Sequence, residues 1–198
     1  MSRNRITHIY PRDTQAFSAL GRCGHVSHEQ LGEFLREKRI RDYERSGLVE
    51  RVLYARPGDG ESDRTCYRLT RKGREFCRHE LHMTDMYRTQ SVGHDIALAD
   101  RYFSLSREER ETWQTETEIM DRAWGHIREL EERGEQERAE ELAEQLRAGE
   151  ISMPDAVYET GGHEVAFEVV TNNYGTAEIE GKMEICRELD IEYTQQRV

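Results

Sequence analysis

Apolar residues in the first third of the chain recur at three- and four-residue intervals, the spacing of one helix face. Pro11-Arg12-Asp13 opens a first helix with Asp13 as its cap and Phe17 and Leu20 on its apolar side; Gly21 to Gly24 ends it. Ser27-x-x-Gln30 is a capping box for a second helix, Val26 and Leu31 are spaced as a hydrophobic staple, and Leu31, Phe34 and Leu35 form its buried stripe. A third helix is predicted from about Glu37 to Ser46, stopped by Gly47. Ile40 and Tyr43 face inward on it, and Lys38, Arg39, Arg41, Asp42 and Arg45 face out. The pattern then changes. Leu48 to Ala55 and Thr65 to Leu69 read as two strands of a hairpin around the turn cluster Pro57-Gly58-Asp59-Gly60. A fourth helix follows, from about Gly73 to His82.

Further on, Gly93 to Phe103 predicts a helix with Ile96, Ala99 and Phe103 on one side. Trp113 to Met120 alternates, which predicts a strand carrying Glu116 and Glu118 on one face. Residues 121–148 are charge-dense and helical. Trp124, Ile127 and Leu130 mark one stripe before Gly134, and Ala139, Leu142 and Leu146 mark another after it. A helical hairpin or kinked helix accounts for both, as a solvated protrusion or a coiled-coil contact whose glutamates face water. Ser152 to Glu159 and His163 to Val170 read as strands joined by Gly161-Gly162. A helix from about Thr176 to Leu189 with Ile179, Met183, Cys186 and Leu189 inward, and a strand from Ile191 to Gln195, complete the pattern. The expected fold class is α+β, with one domain at 1–88 and a second at 89–198 that carries the charged helical insertion at about 121–148.

Charge changes this picture. The chain carries a net charge of -11, which argues against a nucleic-acid partner until the halves are separated. Residues 1–88 hold 18 Lys+Arg against 13 Asp+Glu, a balance of +5; residues 89–198 hold 11 against 27, a balance of -16. DNA affinity comes mainly from local Lys/Arg contacts to phosphate, so the local balance decides. The acidic half repels a phosphate backbone unless cations intervene, and a divalent metal is one source of them. No apolar run approaches the ~20 residues of a membrane span. Met1 to Tyr10 lacks the apolar stretch of a signal peptide, so a cytoplasmic protein with no membrane partner is expected.

The four cysteines form no Cys-x-x-Cys pair, which fits reduced thiols. Cys-x-His-x-x-His occurs twice, at Cys23, His25, His28 and at Cys77, His79, His82. Zinc takes such ligands, but residues two apart on a helix diverge. Buried thiols and surface imidazoles are the alternative.

The order helix, helix, helix, hairpin, helix is that of a winged helix-turn-helix. Arg45-Ser46-Gly47-Leu48-Val49, followed by Tyr67-Arg68-Leu69-Thr70-x-x-Gly73, resembles bacterial winged-helix regulators such as the PadR and MarR groups over roughly residues 11–82. The resemblance implies that the third helix enters the major groove of double-stranded DNA and that the hairpin lies along the backbone. Lys38, Arg39, Arg41 and Arg45 are then the helix residues on the DNA, and Arg56, Arg64 and Arg68 the phosphate contacts of the wing. Mixed charge on the third helix implies modest affinity from one copy, hence a homodimer or a second tethering contact. A winged helix serving as a protein-interaction module is the competing reading.

The second half resembles the PD-(D/E)xK nucleases in its order of helix, strand, strand pair, helix and strand. In that family an Asp and a Glu on adjacent strands hold Mg²⁺ or Mn²⁺, and a Lys two residues after the Glu helps activate water. Asp155 and Glu168 match the acidic pair, and Val170 stands at the Lys position. Lys182 on the next helix can supply the missing amine as a third catalytic group. Glu116, Glu118 or Asp95 can complete a metal cage. The alternative is a dead nuclease fold kept as scaffold. Taken together, the winged helix, His94-Asp95, a Trp…Glu strand, Pro154-Asp155, Ala166-x-Glu168-Val169 and a helix with Lys182 resemble the replication-relaxation proteins of plasmids and integrative elements. That family often has an Asp where this chain has Val170. The expected function is a DNA-binding protein of a mobile element, acting in replication, relaxation, transfer or their regulation, with a degenerate nuclease-like domain. A Mg²⁺-dependent endonuclease or nickase and a winged-helix transcriptional repressor are the alternatives.

Overall fold

The structure, a computed structural model, describes residues 8–55, 64–171 and 175–198. It is mixed α+β with two sheets, and the chain divides into two compact units, Met1–Leu105 and Ser106–Val198. No helix among the described residues is long and apolar enough to cross a membrane.

The first unit runs α1 (Pro11–Cys23), β1 (His25–Ser27), α2 (His28–Phe34), α3 (Glu37–Ser46), β2 (Val49–Tyr54), β3 (Arg64–Leu69), α4 (Arg71–Glu80) and α5 (Val92–Ser104). Local chemistry sets most of these limits. Ser27 accepts the Gln30 amide, and the Gln30 side chain accepts the Ser27 amide, closing the box that starts α2. Gly47 ends α3 at φ +72, a left-handed conformation that costs glycine little. Two expectations need correction. Asp13 is not the cap of α1: Tyr10 holds that place, and Asp13, three residues on, accepts the Tyr10 amide at 2.8 Å. Gly21 does not break α1, which runs on to Cys23 before Gly24.

The three strands form an antiparallel sheet in the order β1-β3-β2, with Val26 and Arg51 both opposite Tyr67. Phe17 packs edge-on against Tyr43 at 4.8 Å and near Phe76 at 5.2 Å, amid buried Leu20, Leu31, Leu35 and Ile40. The boundary anticipated after residue 88 falls later. α5 belongs to the first unit, where Asp95 Oδ2 accepts a hydrogen bond from His25 Nδ1 at 2.8 Å.

The second unit runs α6 (Arg107–Glu111), β4 (Gln114–Thr115), α7 (Glu116–Glu132), α8 (Gln136–Ala148), β5 (Ala156–Thr160), β6 (His163–Val170), α9 (Thr176–Glu188) and β7 (Glu192–Arg197). Its sheet has the order β4-β5-β6-β7, antiparallel except for the parallel β6–β7 pair. The strand expected over 113–120 shrinks to two residues. Thr115 and Glu118 form a capping box, so the chain turns helical at Glu116. A capping box satisfies the first orphan amides of a helix, and here it outweighs the alternation.

The stretch 121–148 is not a solvated protrusion. α7 and α8 make a hairpin whose Ile119, Ala123, Ile127, Leu130, Leu142 and Leu146 share one core with Val157, Ala166 and Ile185. Its glutamates face water as expected, while two of its arginines pair with other elements. Arg122 bonds both oxygens of Glu164 on β6, and Arg138 bonds Glu184 and Glu188 on α9. Trp113 is buried and stacks on Tyr158 at 5.7 Å.

Candidate functional site

α3 and the β2–β3 hairpin frame a groove of about 610 Å³ in the first unit. Arg41, Arg51 and Arg64 line it together with His28, Tyr54 and Tyr67, and so do Glu29, Glu37 and Glu44. Arg41 is about half exposed and only loosely held, 3.8 Å from Glu37 one turn earlier. Arg45 is more exposed, 3.9 Å from Asp42, and Lys38 is exposed. Exposed pairs of this length contribute little to stability, so these cations can turn to a partner. Arg64 stands on the groove wall opposite Tyr54. Arg68 instead bonds Glu50 across the sheet at 2.6 Å. Arg56 lies outside the described residues.

Arg39 is a correction. Its guanidinium faces the fold, with Nε 3.1 Å from Asp13 Oδ1, Nη2 2.8 Å from Oδ2, and Cζ 4.8 Å from the Tyr43 ring centroid. Burial alone raises the Asp13 carboxyl. The Arg39 guanidinium, the Tyr10 amide and Tyr43 outweigh it and hold that carboxyl below its usual range. The same surroundings, burial first and Asp13 next, push the Tyr43 phenol well up. Arg39 thus joins α1 to α3. Sequence reasoning missed Arg51, which enters the groove only once the hairpin register sets it opposite Tyr67.

In the second unit Asp155 and Glu168 lie together at the start of β5 and on β6. Glu168 Oε2 accepts the Asp155 amide at 3.0 Å, and Asp155 Oδ2 accepts the Val169 amide at 2.8 Å. Each carboxylate thereby ties down the other's strand. Lys182 arrives from α9, with Nζ 3.2 Å from Glu168 Oε1 and 2.6 Å from the Met153 carbonyl. Gly181 permits this approach: a Cβ there would stand 2.3 Å from the Glu150 carbonyl oxygen. Val170 is fully buried, so the lysine position of the nuclease pattern is part of the core.

Glu116 and Glu118 form no three-ligand group with the pair among the described residues. Both sit in the first turn of α7, where Glu118 accepts the Thr115 amide at 2.7 Å. Asp95 is engaged in its own unit by His25, Tyr87 and the Gln90 amide. Among the described residues no group of three or more His, Cys, Asp or Glu side chains is arranged to hold a metal. The Asp155–Glu168 donor set does not suit a resident divalent cation. One oxygen of each carboxylate already accepts a backbone amide, and an ammonium faces another.

The Cys-x-His-x-x-His pairs are not brought together as ligand sets. Cys23 and Cys77 are buried, His25 is taken by Asp95, and His28 faces Glu37 at 3.1 Å. Burial pushes the Cys77 thiol up to about 12, away from the thiolate that zinc needs.

No protein-family model, no curated protein and no solved structure matches the chain.

Proposed function

We propose that this chain is a double-stranded-DNA-binding protein of a bacterial mobile element, in which the first unit is a winged helix and the second a nuclease-like scaffold. The helix α3 and hairpin groove carrying Arg41, Arg51 and Arg64 is the observation that carries this reading. The element order, with a three-stranded sheet in the order β1-β3-β2, supports it. In a winged helix the third helix enters the major groove and the wing follows the backbone. Arg41, Arg45 and Lys38 then meet DNA from α3, and Arg64 meets phosphate from the wing. Three glutamates in the same groove limit the affinity of one copy, which favours a homodimer on DNA. The association with replication, relaxation or transfer rests on the motif-level resemblance to the replication-relaxation proteins.

The test is duplex binding by fluorescence anisotropy at several salt concentrations. Salt-dependent binding that weakens in Arg41→Ala and Arg45→Ala, with folding intact, supports the reading. Binding indifferent to both changes removes α3 from the interface. Supercoiled plasmid with Mg²⁺ or Mn²⁺, beside an Asp155→Ala control, separates this reading from the endonuclease and nickase alternative.

A further inference from the structure

We infer that the Lys182 ammonium occupies the cation position of the Asp155–Glu168 carboxylate pair, so that an internal charge stands where a metal-dependent nuclease would hold its divalent ion. It rests on the nuclease-like reading of the second unit and not on DNA binding by the first, since every residue involved lies in the second unit.

Three observations carry the inference. The ammonium sits among oxygens, 3.2 Å from Glu168 Oε1 and 2.6 Å from the Met153 carbonyl, much as a hard cation would. It is also scarcely open to water: the Lys182 side chain is 10% exposed and that of Glu168 0%. A buried carboxylate needs a partner charge, and Lys182 supplies one. Two further carboxylate contacts serve the backbone, with Asp155 Oδ2 on the Val169 amide and Glu168 Oε2 on the Asp155 amide. A divalent ion entering here would stand against the ammonium.

The local sequence explains how the lysine got there. Val170, on the same strand face as Glu168, carries no amine, so β6 delivers none. Gly181 lets α9 press onto the Glu150 carbonyl, and the next residue reaches the pair from the helix. Cys186, one turn further along, has its thiol pushed up to about 12 by burial.

Mn²⁺ titration of the full chain, followed by electron paramagnetic resonance, tests this. Wild-type protein is expected to leave the free Mn²⁺ signal unchanged at about 1 mM. Lys182→Ala is expected to gain affinity at least about tenfold and to melt at a higher temperature with Mn²⁺ than without it. Lys182→Ala combined with Glu168→Gln is expected to lose that response. Uptake of Mn²⁺ by the wild type that vanishes in Asp155→Asn overturns the inference, and so does a folded Lys182→Ala that takes up none. Should Lys182→Ala fail to fold, Lys182→Met and the neutral pair Lys182→Met with Glu168→Gln decide it. The single change should lose stability and the pair regain it; a Lys182→Met chain as stable as wild type overturns the inference.

Discussion

His25 and Asp95 are 70 residues apart in sequence, yet His25 Nδ1 lies 2.8 Å from Asp95 Oδ2 with both side chains buried. Burial alone raises the Asp95 carboxyl. Its bonds to His25 and His94 and to the Gln90 amide outweigh that and leave it below its ordinary value of 3.8. These contacts fasten α5 to β1 within the first unit.

A carboxyl with a lowered pKa contributes stability that is present above pH 3.8 and lost as pH falls through the lowered value. Asp95→Ala is therefore expected to cost about 3 kcal/mol at neutral pH, from lost hydrogen bonds and an orphaned imidazole. Urea unfolding at a series of pH values checks this. The gap between wild type and variant should narrow only on the acid side of 3.8. A gap that is constant with pH would show that the carboxylate charge is not what matters.

Arg39 and Arg41 should behave oppositely although two residues apart. Arg39→Ala removes two bonds to the buried Asp13 carboxylate and a cation stacked on Tyr43, and is expected to cost about 2 kcal/mol of stability. Arg41→Ala should leave the melting temperature within about 1 °C, because its pair with Glu37 is exposed and long. On the proposed DNA interface, Arg41→Ala should instead reduce the salt slope of duplex binding by about 1. Thermal melts beside salt-dependent anisotropy separate the two.

Gly181→Ala places a methyl group against the Glu150 carbonyl, 2.3 Å away. The obstacle is backbone, so α9 has to shift, and overpacking of this kind costs about 1–3 kcal/mol. Chemical denaturation should show the loss. Gly32→Ala, which meets nothing within 4 Å, is the control expected to be neutral or stabilising.

The four cysteines are buried and unbridged. Burial pushes Cys66 up to about 11 and Cys77 and Cys186 up to about 12. At pH 8 the folded chain is expected to resist a thiol reagent such as Ellman's, and all four thiols should react once urea unfolds it. Fast titration of Cys77 or Cys186 without denaturant would show that their surroundings open.

Much was legible where the deciding contacts are local. Ser27 and Gln30 are three residues apart and fix the start of α2 by bonding each other's amides. Gly47 ends α3 through its own backbone freedom. The acidic pair Asp155 and Glu168 could be found as well, because two strands joined by Gly161-Gly162 bring their ends side by side. The same local logic was present at Thr115 and Glu118, but the alternation around it concealed a helix start.

What the tertiary structure alone decided are partnerships across long stretches of chain. Arg39 has a helical position that faces outward by periodicity, and only the packing of α1 beside α3 gives it Asp13. Within 121–148 the glutamates face water as the pattern reads, but Arg122 and Arg138 turn inward only because β6 and α9 supply Glu164, Glu184 and Glu188. Lys182 could be picked from the sequence as an amine within reach of the acidic pair, but its close pairing with Glu168 depends on α9 docking at Gly181. Helix caps and turns satisfy backbone groups within a few residues, so sequence determines them. A buried charge takes whichever partner the fold delivers, and that choice belongs to the three-dimensional packing.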